Sequence, residues 1–188
     1  MFPLFLALFL QAAVSSPPEI EGPFVFREDQ GQTTKVILKN GLTVLVREQQ
    51  ASPLVSVTTF VKAGYFDEDD RISGISHVLE HMFFKGTAKR PVGEIAKATK
   101  SIGGYLNAYT FYDRTVYHTV VPAEGAIQAL EIQSDALWNS SFDGEELRRE
   151  LEVILQESSR KYDNPAAVAS EKLYATAFSE HRMRRWRI

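Results

Sequence analysis

The 188-residue sequence predicts an α+β fold, in which an antiparallel or mixed β-sheet has helices packed on one face. Residues 34–48 (TKVILKNGLTVLVRE) alternate apolar and polar side chains on both sides of Asn40-Gly41, a pair that favours a hairpin turn. Residues 105–122 hold two further alternating runs, YLNAYTFY and TVYHTVVP, joined through Asp113-Arg114. Between and after these strands the apolar residues recur with the helical period.

The other elements follow from the same patterns. Residues 55–63 predict a strand, and helices are predicted within 74–87 (GISHVLEHMFFKGT) and over 93–102 and 122–138. In the first of these helices, four apolar residues are expected on the face opposite the histidines: Ile75, Val78, Leu79 and Met82. Asp143 followed by Glu146 predicts a capping box that opens a helix ending near Arg160. Asn164-Pro165 predicts the start of a last helix that ends near Phe178.

Composition and charge exclude several classes of protein. A hydrophobic content of 44% indicates a packed core and not a disordered chain. The 21 basic and 24 acidic residues are mixed along the chain, so its charge gives no reason to expect nucleic acid or an anionic membrane surface as a partner. Because the chain has no cysteine, it has no disulfides or thiolate ligands. A transition metal must therefore be held by histidine and carboxylate.

The two ends of the chain are set apart from the predicted domain. Residues 1–16 (MFPLFLALFLQAAVSS) carry no charged side chain and are shorter than the roughly 20 residues of a membrane span. They predict a secretory signal peptide and an extracytoplasmic location, periplasmic or secreted, with no stable membrane span after cleavage. The alternative is an uncleaved anchor or a buried strand. Residues 17–32 are interpreted as an N-terminal extension, 33–181 as the folded domain, and 182–188 as a basic end that is solvated or frayed.

The stretch GISHVLEHMFFKGT (74–87) contains two of the chain's four histidines. Because successive helical residues turn by about 100°, His77, Glu80 and His81 share one stripe of the helix. Two histidines one turn apart can chelate zinc, and the glutamate beside the second is placed to take a proton from water. The alternative is a solvated helix face on which Glu80 only pairs with an imidazole.

A third ligand is needed, and the predicted helix over 144–160 offers candidates. Glu150 and Glu157 lie seven residues apart and so nearly in line, along the edge of the helix's apolar stripe. A carboxylate at the edge of an apolar stripe is expected to pair with a cation. The alternative is that both belong to a solvated edge.

Taken together, these motifs resemble the pitrilysin/insulinase family of zinc peptidases, the inverzincins. His77 to His81 is followed by Phe84-Lys85-Gly86-Thr87, and Glu157 comes seventy-six residues after His81. Further matches lie in order along the chain: Gly64, Glu68, Gly103-Gly104, Asn107-Ala108-Tyr109-Thr110, Asp113, Thr115, Tyr117 and Asn164-Pro165. The resemblance covers residues 33–181 and implies a single N-terminal catalytic half-domain of the pitrilysin type.

The resemblance implies a role for each of the matching residues. His77, His81 and Glu157 would bind a zinc cofactor, and Glu80 would be the general base. Glu150 joins Glu80 in the predicted catalytic set as the glutamate that orients the site. Asn107 and Ala108 would bind substrate on an edge strand to which a peptide adds as a further β-strand. The alternative for Asn107 is an edge residue that bonds only to its own neighbours.

Two functions remain open. The first is a zinc endopeptidase that hydrolyses peptide bonds of unfolded peptides or small proteins. The second is a non-catalytic subunit of a two-component peptidase, which binds peptides or a partner. The family's chains normally continue into a second half-domain, so the resemblance implies a peptide substrate, a second half-domain or partner subunit, and an end truncated relative to the family. A structural zinc site is disfavoured because such sites usually have four protein ligands.

Overall fold

The computed structural model describes residues 23–185. The chain divides into two compact units, Met1–Ser52 and Pro53–Ile188. The predicted signal peptide lies outside the described residues, so it and the extracytoplasmic location stay predictions. No helix in the described part of the chain combines the length and the apolar character needed to cross a bilayer.

The first unit contains an antiparallel sheet with the strand order β1-β2-β3. Its strands are β1 (Phe24–Gln30), β2 (Thr33–Leu38) and β3 (Thr43–Arg47). The predicted hairpin between β2 and β3 is confirmed: Gly41 has a φ of 88°, and the Asn40 side chain accepts a hydrogen bond from the Leu42 amide. β1 was not predicted. It lies in the segment interpreted as an extension, where Arg27, Glu28 and Asp29 interrupt the apolar alternation.

The second unit contains an antiparallel sheet with the order β4-β6-β5 and five α-helices. The strands are β4 (Leu54–Val61), β5 (Tyr105–Thr110) and β6 (Thr115–Pro122). The helices are α1 (Ile75–Phe83), α2 (Glu94–Ser101), α3 (Ala126–Trp138), α4 (Gly144–Arg160) and α5 (Pro165–Ala177). The α+β class and the order of these elements are as the sequence predicts.

The core of this unit lies between the sheet and the helices. Its buried cluster joins α1, α2, α3 and β6 through Phe83, Ile95, Tyr117, Ile132 and Ala136. Burying a large apolar side chain contributes about 1.5–3 kcal/mol, so this contact holds the helices against one face of the sheet. The opposite face keeps large side chains exposed: Phe60, Tyr105 and Tyr109.

A buried carboxylate starts helix α1. The Glu68 side chain is only 2% exposed, and its two oxygens accept hydrogen bonds from the amides of Gly74 (2.7 Å) and Ser76 (2.9 Å). The first amides of a helix have no partner within the helix, and a negative charge there also suits the helix dipole. Glu68 therefore fixes the position at which the histidine-bearing helix begins.

The apolar face of α1 is not its most buried face. Ile75 and Leu79, on the face opposite the histidines, are 40% and 45% exposed, whereas Glu80 is buried. The reason is that α1 lies against both β5 and α4, so the polar stripe faces the interior of the unit. Met82 is fully buried.

Both predicted helix caps around α4 and α5 are present. Asp143 accepts hydrogen bonds from the amides of Glu145 and Glu146, and Asn164 accepts them from Ala166 and Ala167. Each such cap typically contributes about 1 kcal/mol. The caps set the register of α4, whose buried side includes Glu150.

The segment after α1 is anchored to α3 by polar contacts. Thr87 donates a hydrogen bond of 2.7 Å to Asp135, and Arg90 forms an ion pair with the same carboxylate. Within this segment Gly86 has a φ of 97°, and a Cβ there would lie 2.9 Å from the Arg90 carbonyl oxygen. A glycine is therefore needed at the position that follows Lys85.

The described part of the basic end is bound, which contradicts the expectation of a solvated or frayed segment. Arg184 and Arg185 form ion pairs with Asp70 at 2.7 and 2.9 Å. Arg185 also donates a hydrogen bond to the main-chain oxygen of Glu68. The acidic run near residue 70 supplies partners that are remote in sequence.

Candidate metal centre

Three side chains from two helices converge on one point. His77 and His81 come from successive turns of α1, and Glu157 comes from the last turn of α4. The two imidazole Nε2 atoms are 3.1 Å apart. Glu157 Oε2 lies 3.7 Å from the Nε2 of His77 and 3.6 Å from that of His81. The structure thus brings together the three residues that the sequence proposed as ligands.

This triangle of atoms fits a zinc ion. Zinc bonds of about 2.0–2.1 Å in tetrahedral geometry separate neighbouring ligand atoms by about 3.3 Å. The three observed separations lie on either side of that value. Two imidazole nitrogens and one carboxylate oxygen also form a donor set used by catalytic zinc, which keeps a fourth position for water or substrate.

Glu150 orients the imidazole of His81. Its Oε2 accepts a hydrogen bond of 2.8 Å from the Nδ1 of His81, which leaves Nε2 directed at the candidate metal position. The other oxygen of Glu150 pairs with the ammonium group of Lys85 at 2.6 Å. Burial alone would raise the pKa of Glu150, but the hydrogen bonds from Lys85 and His81 outweigh it and hold that pKa below its ordinary value.

His77 is suited to the neutral state that a metal ligand requires. Burial, followed by the neighbouring His81, lowers the pKa of His77. A histidine must be deprotonated to bind a metal, so a lowered pKa keeps the ligand available at neutral pH. Within the described residues, Nδ1 of His77 is buried and has no hydrogen-bond partner.

Glu80 lies beside the three ligands and outside their cluster. It is 9% exposed, and its Oε2 accepts a hydrogen bond of 2.5 Å from the Thr110 hydroxyl. Burial raises the pKa of Glu80, although the Thr110 hydrogen bond and the nearby His81 act in the opposite direction. A carboxylate with a raised pKa is a better proton acceptor near neutral pH.

An open cleft of about 270 Å³ connects these groups. Its walls are formed by Tyr65, His77, Glu80, Ala108, Tyr109, Thr110, Glu157 and Lys161. Ala108 is therefore at the site. Asn107 is outside the cleft lining: its side chain accepts a hydrogen bond from the Ala108 amide and donates one to the Tyr105 hydroxyl. These are the neighbour contacts that the alternative interpretation of Asn107 describes.

Sequence reasoning gave no role to several residues in or behind this cleft. Thr110 shares a face of β5 with Ala108 because the strand period is two, which is a signal that could have found it. Lys85 follows His81 by four residues, one helical turn. Lys161 follows Glu157 by the same spacing at the end of α4. Tyr65 carries no such local signal, since its place in the lining depends on how a loop folds around the cleft.

Comparison with known proteins agrees with this geometry. The profile of the family described as "Insulinase (Peptidase family M16)" matches residues 43–187. The chain belongs to the insulinase family of peptidases. Over 143 residues, it is 41% identical to a Rickettsia felis protein described as an uncharacterized zinc protease, with 76% of this chain and 35% of that protein covered.

Two further proteins, from a plant and a bacterium, are similar to most of this chain. An Arabidopsis thaliana protein described as a probable mitochondrial-processing peptidase subunit beta is 37% identical over 78% of this chain and 28% of its own length. The crystal structure of a protease from Helicobacter pylori superposes with a TM-score of 0.75 at 30% identity, covering 79% of this chain and 36% of that one. The chain thus spans roughly a third of the length of these relatives.

Proposed function

We propose that this chain is the metal-bearing part of a zinc endopeptidase, with His77, His81 and Glu157 as the zinc ligands. The observation that carries the proposal is that the cleft holds a candidate base in addition to the metal ligands. Three ligand atoms converge, while the buried carboxylate of Glu80 stands beside them in the same cleft. A site built only to hold a metal has no need of this fourth group.

Different residues of the cleft serve different steps of peptide hydrolysis. When bound, zinc supplies a Lewis acid for the peptide carbonyl and makes water a nucleophile near neutral pH. Glu80 accepts the proton of the attacking water and returns it to the leaving amine. The Thr110 hydroxyl holds the Glu80 carboxylate in one orientation during both transfers.

The edge of β5 is the proposed binding site for the substrate backbone. Within the described sheet β5 pairs only with β6, so its other edge is open. The amide of Ala108 is directed away from β6 and is bonded to the Asn107 side chain. An extended peptide that pairs with this edge would have its backbone beside Ala108 and close to Glu80. Asn107 would then exchange its hydrogen bond for one to the peptide.

The cleft of the proposed peptidase needs a second wall, supplied from outside the residues described. The chain covers only 28% of the Arabidopsis thaliana relative, which is described as a subunit. We propose that a further half-domain or a partner subunit closes the site around an unfolded peptide. The substrate class, unfolded peptides or small proteins, follows from an open strand edge that binds backbone without selecting one side chain.

Metal removal tests this function. The zinc content of the purified chain and its cleavage of an internally quenched, unstructured peptide are measured before chelation, after chelation and after zinc is added back. We expect one zinc per chain, loss of cleavage with the chelator and recovery with zinc. Zinc binding without cleavage, also in the presence of a candidate partner, would favour the non-catalytic binding subunit. Cleavage that persists without zinc would contradict the proposal.

Replacement of Thr110 by valine tests how Glu80 is held. Valine keeps the size of the side chain and removes the hydroxyl that lowers the pKa of Glu80. In the variant the pKa of Glu80 should rise, so less of the base is ionised and the acid limb of the cleavage profile moves to higher pH. Because the hydroxyl no longer holds the Glu80 carboxylate in one orientation, we expect kcat to fall by about tenfold, since one charge-assisted hydrogen bond is worth about 1.5 kcal/mol.

The control for this experiment is Thr110→Ser, which keeps the hydroxyl and should restore kcat and the pH profile. Zinc content should be the same in all three proteins. An unshifted profile in Thr110→Val would show that the hydroxyl does not act on the base.

A further inference from the structure

Lys85 extends the chain of contacts behind the candidate metal centre by one residue. The ammonium group of Lys85 donates to one oxygen of Glu150 at 2.6 Å, and the other oxygen accepts from His81 Nδ1 at 2.8 Å. The line Lys85–Glu150–His81 therefore ends at the Nε2 atom that faces Glu157. Each oxygen of the carboxylate has one partner, so the group cannot rotate without breaking a contact.

This ion pair differs from the lysine pair on the surface of α2. The side chains of Lys85 and Glu150 are 24% and 10% exposed, whereas those of Lys97 and Glu94 are 76% and 44% exposed. A pair in water contributes little, but a buried carboxylate that loses its cation is left with an uncompensated desolvation cost. Removal of Lys85 should therefore disturb Glu150 itself.

The backbone fixes the ammonium group in place. Lys85 follows the C-terminus of α1, and its amide donates to the Met82 carbonyl. The next residues are tied to α3 and to the segment after it, because Thr87 bonds to Asp135 and the Ser141 amide donates to the Gly86 carbonyl. Lys85 is thus held between a helix end and an anchored segment, and it meets a carboxylate on a third element, α4.

We propose that Lys85 is a positioning residue of the zinc site, which fixes the Glu150 carboxylate so that His81 presents Nε2 to the metal. The inference rests on the zinc site of the proposed function. It concerns the affinity for zinc and does not depend on peptide cleavage.

The direction in which the zinc affinity changes on removal of Lys85 distinguishes a positioning role from a simple charge effect. A lysine near the site repels a divalent cation, so the loss of its charge should strengthen zinc binding if Lys85 acted only through its field. If Lys85 acts by positioning, its removal lets Glu150 and then His81 move, and zinc binding weakens. The two explanations predict changes in opposite directions.

The test is the zinc dissociation constant of Lys85→Met, measured by competition with a chromophoric chelator. Replacing a residue that bonds directly to a metal-binding histidine costs about 10–100-fold in metal affinity. Lys85 is one contact further away, so we expect zinc binding to weaken by about fivefold to tenfold. Lys85→Arg, which can still bond the carboxylate, should stay within about twofold of the unchanged protein.

A double-mutant cycle shows whether Lys85 acts through Glu150. In a Glu150→Ala background both contacts of the carboxylate are already lost, so Lys85→Met should change the zinc affinity by less than about twofold. The matched control is Lys89→Met, which removes the same charge from an exposed side chain of the same segment and should leave the affinity unchanged. If Lys85→Met fails to fold, Lys85→Gln takes its place in the cycle.

Each outcome decides the question. Unchanged or tighter zinc binding by Lys85→Met overturns the inference, as does an equal loss in the Glu150→Ala background. Zinc binding by the unchanged protein without peptide cleavage, also in the presence of a candidate partner, overturns the proposed endopeptidase alone. Absence of zinc binding by the unchanged protein overturns both.

Discussion

Replacing Glu80 by glutamine should lower the cleavage rate by about 10²–10⁴-fold while the zinc content stays at its original level. The amide has the size of the carboxylate and can still accept the hydrogen bond from Thr110, so the geometry of the cleft is kept. What it lacks is the ability to take a proton from water. The measurement is kcat for a quenched peptide, together with zinc per chain by elemental analysis.

Two results would contradict this role for Glu80. A parallel loss of zinc would place Glu80 among the ligands, and an unchanged kcat would exclude it as the base. The matched control is Glu94→Gln on α2, which removes a carboxylate that is 44% exposed and pairs with Lys97 at the surface. It should leave both kcat and zinc content unchanged.

The sequence predicted those parts of the fold and site that depend on local spacing. The helical period alone places His77 and His81 one turn apart, and the structure has their Nε2 atoms 3.1 Å apart. The hairpin at Asn40-Gly41 and the caps at Asp143 and Asn164 are equally local, because each depends on backbone conformation within a few residues. Such features need no knowledge of the tertiary structure.

The packing of α4 against α1 could not be predicted from local spacing. Spacing showed that Glu150 and Glu157 are in line on one helix, but the family resemblance was needed to direct them at the histidines. The roles of the two differ because Glu157 faces the Nε2 atoms, while Glu150 faces Nδ1 of His81. That distinction depends on the packing of two helices whose contacting residues are about seventy positions apart.

The burial of α1 could not be read from its hydrophobic period either. A hydrophobic period identifies the buried face of a helix only when one face meets the core, and α1 is enclosed by β5 on one side and α4 on another. Its polar stripe is therefore inside. The same enclosure buries Glu80 and brings Thr110 to it, a contact between residues thirty positions apart that no local pattern indicates.

Glu157→Gln should weaken zinc binding by about a hundredfold. Four ligands in a structural zinc site supply about 10–16 kcal/mol, or about 3 kcal/mol for each, and about 3 kcal/mol corresponds to a factor of about 100. The amide oxygen of glutamine has no charge and is the weaker ligand. The dissociation constant is measured by chelator competition, and cleavage at limiting zinc should fall with it.

The fold should tolerate this change, which separates loss of a ligand from loss of structure. The Glu157 side chain is 42% exposed, so the unfolding free energy of the chelator-treated protein should stay within about 0.5 kcal/mol of that of the unchanged chain. Glu152→Gln is the matched control, because it removes the same charge from the same helix at a side chain that is 66% exposed. Its zinc affinity should be unchanged. If Glu157→Gln also bound zinc as before, the two histidines would need a different third ligand, and the hydrolase proposal would lose the contact between α1 and α4 on which it depends.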